Sequence, residues 1–266
     1  MADEPRPDGG RWSDLTTRIA SAAVLLAIGT VGVLHGGGWF PALVTFVAAM
    51  TVWEVAQIVA PDRPTPAATL AVASAAILSG VPTGLDGGWE LLFFLLVPAI
   101  GLYALRPFGV YFAGFALGAQ LAGWALIAFR QDPGLMFVLW LVVTVVMTDV
   151  LGYFAGRHFG GPKFWPAISP KKTWSGTAAG WIGAAILGLL FMIPLEQGWE
   201  MIPASVAVSM ASQAGDIAES ALKRRFGVKD SSDLIPGHGG IYDRFDALMG
   251  AAMFATLIWL VTGWPG

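Results

Sequence analysis

Residues 220–246 combine three kinds of group that bind phosphates or metal ions. Asp243 and Asp246 stand three positions apart, so both carboxylates could share a helix face and bind divalent cations. The glycine-rich turn at residues 237–240 could offer backbone N–H groups to an anion. Basic side chains could hold phosphates and neutralise a leaving group: Lys223, Arg224, Lys229 and Arg244. A run of charge usually covers a solvated face, but this mixture, which also includes a histidine, is unusual for one.

A polar stripe leads into this stretch. Asp216 is followed at spacings of three or four residues by Glu219 or Ser220 and then by Lys223, which aligns these side chains along one helix face. A helix buried in lipid gains nothing from such a stripe. The stripe therefore indicates a water-filled cavity or a binding site.

A second intramembrane acid begins a repeat of period four. Asp149, Tyr153 and Arg157 share one helix face, and Gly152 and Gly156 allow another helix or a ligand to approach it. A carboxylate at the centre of a membrane helix costs about 2.5 kcal/mol or more and usually marks a function. The alternative is an Asp–Arg pair that only packs two helices together.

Adjacent lysines stand in a third block, residues 162–176. Lys171 and Lys172 follow a Ser-Pro pair that begins at Ser169, and they precede Thr173, an arrangement that suits a chain of phosphates. Taken alone, the lysines are better explained as anchors that hold the loop at the cytoplasmic membrane surface.

Glu54 is a lone acid in an apolar run of the N-terminal half. A neutral or interfacial side chain explains it about as well as a functional one does. We assign it no role from the sequence, and the expectation is that Glu54→Gln is nearly silent.

The elements that position these residues must be membrane helices. Of the 266 residues, 56% are apolar and 12% are charged, and the mean hydropathy is +0.67. A soluble domain carries roughly 25% charged residues, so this composition argues against a soluble monomer. Apolar windows long enough to cross about 30 Å of hydrocarbon occur nine times, at residues 18–35, 39–60, 66–82, 89–105, 108–129, 135–156, 177–195, 201–222 and 246–264. We predict an all-α polytopic integral membrane protein with about nine transmembrane helices.

Charge and cysteine content exclude further classes. A net charge of -3 argues against a general nucleic-acid binder, whose binding surface is strongly basic. The chain has no cysteine, which excludes disulfides, a thiolate nucleophile and a cysteine-ligated metal.

The basic residues predict the orientation. With the N-terminus inside, every Lys and Arg except Arg130 falls on the cytoplasmic side, which predicts N-in and C-out. We divide the chain into a flexible tail at 1–17, about five N-terminal transmembrane helices at 18–134, and a catalytic transmembrane region at 135–266. The site is expected at the cytoplasmic ends of the last helices.

The polar residues of the C-terminal half resemble the signature of one enzyme family. Residues 220–246 match, without interruption, the pattern of the phosphatidate cytidylyltransferases, also called CDP-diacylglycerol synthases. Residues 149–160 and 168–176 resemble two weaker blocks of the same family. Ser175 departs from the pattern, because the family usually has Glu there.

The resemblance implies a reaction and a set of ligands. Phosphatidate would attack the α-phosphorus of CTP, releasing pyrophosphate and leaving CDP-diacylglycerol in the membrane. Mg²⁺ would be held by Asp216 and Asp243 with Asp246 adjacent, with a second cation such as K⁺, and Lys223 would bridge substrate phosphates. His238 would contact substrate rather than act as a base. The other implied substrate-binding residues are Asp149, Ser169, Lys171, Lys172, Thr173, Ser220, Arg224, Lys229, Asp230, Gly239, Gly240 and Arg244. The family also implies a homodimer in a bacterial-type inner membrane.

Three alternatives bear on this interpretation. A cytidylyltransferase that acts on another lipid phosphate, such as a polyprenyl phosphate, stays open because lipid tails contact only apolar spans. A transporter would carry charges near the bilayer midplane in two related halves, whereas here they crowd into the second half. The helix motif typical of CDP-alcohol phosphotransferases is absent from the sequence, and so is a P-loop.

Overall fold

The computed structural model describes residues 9–84 and 88–263, with side chains described from residue 16 onward. Its helices, in chain order, are α1 Gly9–His35, α2 Trp39–Val59, α3 Pro64–Gly80, a 3₁₀ helix Trp89–Leu95 that runs into α4 Leu96–Ala104, α5 Gly109–Gln131, α6 Leu135–Phe159, α7 Trp174–Phe191, α8 Met201–Arg225 and α9 Tyr242–Thr262. A two-stranded antiparallel hairpin joins α6 to α7, with β1 at Lys163–Trp165 and β2 at Ser169–Thr173.

Six of these helices are long and apolar enough to cross a membrane, namely α1, α2, α5, α6, α7 and α9. The helix α3 and the segment Trp89–Ala104 are apolar but shorter. The helix α8 is long, but it carries the polar stripe and does not reach the same apolarity. The all-α membrane fold is therefore confirmed, whereas the number of nine crossings and their orientation stay predictions.

The first helix begins earlier than expected. Residues 1–8 of the predicted tail lie outside the described residues, and from Gly9 onward the chain is helical. The apolar part of α1 is almost entirely exposed on the surface of the chain. The boundary predicted at residue 17 therefore falls inside α1, whereas the division between the N-terminal helices and a catalytic region stays a prediction.

The hairpin was not predicted. Residues 162–176 were interpreted as a loop, but Lys163 pairs with Thr173 and Trp165 pairs with Ser169. Thr173 then caps α7, because its hydroxyl accepts a hydrogen bond from Gly176 N at 3.3 Å. The Ser175 hydroxyl donates to the Gly160 carbonyl at the end of α6. Ser175, which replaces the family's usual Glu, thus ties the two ends of the hairpin together.

The core of the N-terminal half forms around α2 and α5. Trp124 is 1% exposed, and its indole N–H donates to the Pro82 carbonyl at 2.9 Å. A Cβ at Gly123 would lie 3.2 Å from the Cβ of Ala48, so the small residues let α5 approach α2 closely. This packing makes α2 a fixed support for the segments that contact its C-terminal end.

Glycines also bring the C-terminal helices together. A Cβ at Gly215 of α8 would lie 2.5 Å from the Asp246 carbonyl and 3.1 Å from the Cα of Gly250, both in α9. Only residues without a side chain permit this approach, which places the polar stripe of α8 directly against the first turns of α9.

Candidate active site

Three carboxylates meet where α8 crosses α9. One oxygen from each of Asp216, Glu219 and Asp246 lies within 4.8 Å of the others, a grouping that could hold a metal ion. Asp216 and Glu219 share a face of α8 at a spacing of three, and the contact of Gly215 with Gly250 brings Asp246 to them. The stripe predicted this face, but Glu219 was not among the predicted metal ligands. The spacing of three residues between Asp216 and Glu219 was the feature of the sequence that could have identified Glu219 as a candidate ligand.

Lysines compensate the negative charge of this cluster. Lys172 of the hairpin forms an ion pair with Asp216. Lys223 Nζ lies 2.6 Å from Glu219 Oε1 and 2.7 Å from Asp243 Oδ1, and this lysine is 9% exposed. Grouped carboxylates are costly away from water unless cations or metal ions balance them. The cluster therefore has a composition that suits a bound divalent cation, with two lysines already next to it.

Asp243 lies beside the cluster rather than within it. Its oxygens accept hydrogen bonds from Ser231 N at 2.9 Å and from Gly240 N at 2.8 Å, in addition to the contact with Lys223. The three-carboxylate group found among the described residues contains Glu219 where the sequence analysis placed Asp243. Asp243 in this structure binds a lysine and two backbone amides, and its assignment as a metal ligand stays a prediction.

The glycine-rich turn is arranged differently from the expected anion cradle. Gly240 N donates to the Asp243 carboxylate, and His238 N donates to the Ile235 carbonyl at 2.9 Å. Gly239 has a φ of +82°, a conformation that favours glycine. Two N–H groups of the turn are thus used by the protein itself, and the anion that Gly240 binds here is a side chain.

A basic cavity of about 440 Å³ adjoins the acidic cluster. Its lining comes from α6, the hairpin, α7 and α8, and includes four cationic side chains: Arg157, Lys163, Lys171 and Lys172. Asp149, Thr173 and Gln213 also line it. The two weaker sequence blocks therefore meet in one cavity of a size typical for small-molecule sites. Arg157 donates to the Tyr153 hydroxyl at 2.9 Å, so the predicted i, i+4 relationship within α6 is present.

Other predicted substrate-binding residues lie elsewhere. Arg224, Lys229 and Asp230 are exposed, at the end of α8 and in the loop that follows. Arg244 donates two hydrogen bonds to the His238 carbonyl, the shorter at 2.6 Å. Ser220 donates to Asp216 at 3.4 Å, and Ser169 begins β2. None of these residues lines the basic cavity of the described structure.

Glu54 was the residue that the sequence analysis undervalued. It is fully buried in α2, and its carboxylate accepts four hydrogen bonds from the chain around the glycine-rich turn. The structure thus gives Glu54 a bonding role that its sequence context did not indicate, whereas its effect on activity stays a prediction. Its partners are 177 to 188 residues away in the sequence, so no local pattern could have revealed them.

Comparisons with known proteins agree with this chemistry. The sequence profile of the cytidylyltransferase family matches residues 16–262. A phosphatidate cytidylyltransferase of Brucella abortus is 33% identical over 264 residues, which cover 95% of this chain and 96% of the relative. A phosphatidate cytidylyltransferase of Staphylococcus saprophyticus is 43% identical over 122 residues, or 45% of this chain and 47% of the relative. The resemblance first noted at residues 220–246 thus extends along nearly the whole sequence.

Proposed function

Because this chain belongs to the cytidylyltransferase family, and is therefore a nucleotidyltransferase, we propose that it transfers CMP from CTP to phosphatidate. A phosphate oxygen of phosphatidate forms a bond to the α-phosphorus of CTP. The bond from that phosphorus to the β-phosphate oxygen breaks, so pyrophosphate leaves and CDP-diacylglycerol remains. The observation that carries this proposal is that Lys172 both lines the basic cavity and pairs with Asp216 of the acidic cluster.

The basic cavity is the proposed site for the triphosphate. Four cations line it, and nucleotidyl transfer depends mainly on holding and neutralising phosphates. Arg157 and Lys163 join the predicted Lys171 and Lys172 in this role. Asp149 lies in the same lining and is proposed to contact the nucleotide or to support the metal site.

Asp216, Glu219 and Asp246 are the proposed ligands of Mg²⁺, with K⁺ as the candidate for a second cation. The donor set fits, since carboxylate oxygens are the ligands that Mg²⁺ prefers, and the three groups converge from two helices. A bound Mg²⁺ supplies positive charge that stabilises the phosphates of the transition state. Lys223, held between Glu219 and Asp243, is proposed to contact the substrate phosphates.

The membrane arrangement completes the proposal. We propose nine crossings, including the shorter α3, the segment Trp89–Ala104 and the polar α8, with the N-terminus inside. This orientation puts the hairpin and the glycine-rich turn on the cytoplasmic side, where CTP is available. The bacterial relatives support a bacterial inner membrane as the location, and a homodimer is the proposed assembly.

The substrate is tested directly with purified protein. We expect CDP-diacylglycerol to form from CTP, Mg²⁺ and phosphatidate, as followed with CTP labelled at the α-phosphate. Parallel reactions contain a polyprenyl phosphate or no lipid. A product from the polyprenyl phosphate alone would replace phosphatidate with the other lipid class. Absence of any CDP-lipid, together with solute uptake into vesicles that Asp243→Asn abolishes, would support the transporter alternative.

Lys172→Met tests the assignment of the cavity. Lys172 is expected to contribute a charge-assisted hydrogen bond to the triphosphate, so its removal should raise the KM for CTP about tenfold or more. The KM for phosphatidate should change much less. Arg225→Met is the matched control, because Arg225 is an exposed cation at the end of α8 that does not line the cavity. Equal effects of both substitutions on the KM for CTP would show that only the overall charge of the surface matters.

A further inference from the structure

The buried carboxylate of Glu54 joins α2 to the α8–α9 loop, which we define as residues 226–241, and to the start of α9. Oε1 accepts from the Ser232 hydroxyl at 2.5 Å and from Ile241 N at 2.9 Å. Oε2 accepts from the Ser231 hydroxyl at 3.1 Å and from Tyr242 N at 2.6 Å. A side chain with no exposed surface thus has two bonding partners on each oxygen. We propose that Glu54 is a positioning residue that holds this loop, and through it Asp243 and Lys223, in the geometry needed for turnover.

The same short segments contact both Glu54 and Asp243. Ser231 donates its hydroxyl to Glu54 and its backbone N–H to Asp243. On the other side of the loop, Gly240 N donates to Asp243, and the next N–H, that of Ile241, donates to Glu54. The loop is therefore held between two carboxylates. Movement of one carboxylate changes the donors available to the other.

Glu54 also caps the helix on which Asp243 stands. Ile241 N and Tyr242 N are N–H groups at the start of α9 that have no partner within the helix. A carboxylate bound to such groups is stabilised by the helix dipole. The cap comes from a different helix, so it fixes the start of α9 relative to α2. Asp243, the following residue, is fixed with it, and Lys223 Nζ lies 2.7 Å from its Oδ1.

The space around Glu54 leaves little freedom for the loop. A Cβ at Gly240 would lie 2.5 Å from Glu54 Oε1 and would overlap the Ser231 hydroxyl. Between the two stretches that bind Glu54, the Ser21 hydroxyl of α1 donates to the Pro236 carbonyl at 2.9 Å. The N-terminal helices thus hold the loop at its middle and at its junction with α9, which gives them a part in the reaction without contact with the substrate.

The test compares Glu54→Gln and Glu54→Asp in the full-length protein. The Gln amide turns an N–H₂ donor toward other donors, so at least one pair of bonds is lost, and kcat should fall about a hundredfold. Asp keeps the charge but is one methylene shorter, so we expect partial rescue, with a loss of about tenfold. The KM for CTP should change less than about threefold in both, because Glu54 does not line the basic cavity. Glu90→Gln is the control, since Glu90 is 7% exposed in the N-terminal half and has no described bond to the loop.

A second measurement follows the loop itself and does not depend on catalysis. The chain contains no cysteine, so Leu234→Cys gives a single attachment point for a nitroxide on an exposed position of the loop. The spectrum should show greater mobility with Glu54→Gln, an intermediate value with Glu54→Asp, and no change with Glu90→Gln. If Glu54→Gln does not accumulate, Ser232→Ala removes one of the four bonds and should shift mobility and kcat in the same direction.

The outcomes separate this proposal from the proposed function on which it rests. Unchanged mobility together with unchanged kcat in Glu54→Gln overturns the positioning role. The positioning role is also overturned if kcat falls only because the variant unfolds at a lower temperature, while the loop is as immobile as in the wild type. If the wild-type protein forms no CDP-lipid from any lipid phosphate, the proposed function fails, whereas the nitroxide spectra still decide whether Glu54 holds the loop.

Discussion

Asp216→Ala is expected to reduce the formation of CDP-lipid by at least about a thousandfold while the protein stays folded. Asp216 supplies one of the three clustered carboxylates and also pairs with Lys172 of the hairpin. Its removal takes away a proposed Mg²⁺ ligand and leaves Lys172 without its partner at the boundary between cluster and cavity. The Asp216 side chain is 28% exposed, so its truncation does not leave a sealed cavity in the core.

Three measurements check this expectation. Turnover is measured at saturating CTP over a range of Mg²⁺ concentrations, and the unfolding temperature reports folding. Binding of Mn²⁺, followed by its paramagnetic signal, reports the metal site without reference to activity. The matched control is Asp233→Ala, which removes an exposed carboxylate from the α8–α9 loop. Near-normal turnover of Asp216→Ala, or Mn²⁺ binding equal to that of the control, would contradict the metal role.

The helices could be predicted from the sequence because the length of an apolar run is a local property. The windows at 39–60 and 135–156 fall almost entirely on α2 and α6. The window at 201–222 falls on α8, whose polar stripe keeps it below the apolarity of a typical crossing. The hairpin was missed because residues 163–173 mix lysines, prolines and aromatics without the alternation that marks a strand.

The site was predictable to the extent that its chemistry is local. The spacing of Asp216 and Glu219 shows directly that they share a face of α8. The family resemblance implied that Asp246 lies next to the metal ligand Asp216, and the comparisons confirm that resemblance. The structure explains why Asp246 and Asp216 are close, because Gly215 lets α8 approach α9 at Gly250. Asp243 and Asp246 were expected to act together, but Asp243 accepts from the backbone N–H groups of Ser231 and Gly240 in the α8–α9 loop, and Asp246 joins the acidic cluster.

Glu54 shows what the sequence alone could not predict. A lone acid in an apolar run can be neutral, interfacial or functional. The hydrogen-bond donors that distinguish these cases for Glu54 lie 177 to 188 residues further along the chain. Only the packing of α2 beside the start of α9 brings the donors to it. Its expected silence as Glu54→Gln is therefore replaced by an expected loss of turnover.

Lys223→Met is the second substitution with a large expected effect. Lys223 is 9% exposed and is the described cation that contacts both Glu219 and Asp243. Removing one member of a buried ion pair costs about 3–5 kcal/mol, because the remaining charge loses its compensation. We expect turnover to fall by at least about a thousandfold, since the variant loses a proposed phosphate contact as well as the arrangement of two carboxylates.

A double substitution separates the two causes. Glu219 loses its only described ion-pair partner in Lys223→Met, whereas Asp243 keeps the N–H groups of Ser231 and Gly240. In the absence of Mg²⁺, Lys223→Met with Glu219→Gln should therefore recover much of the unfolding temperature lost by Lys223→Met alone. Turnover should not recover, because neither the cation nor the carboxylate is restored. If turnover returns with stability, Lys223 acts only by balancing charge. If neither single nor double variant loses turnover, Lys223 has no part in the reaction.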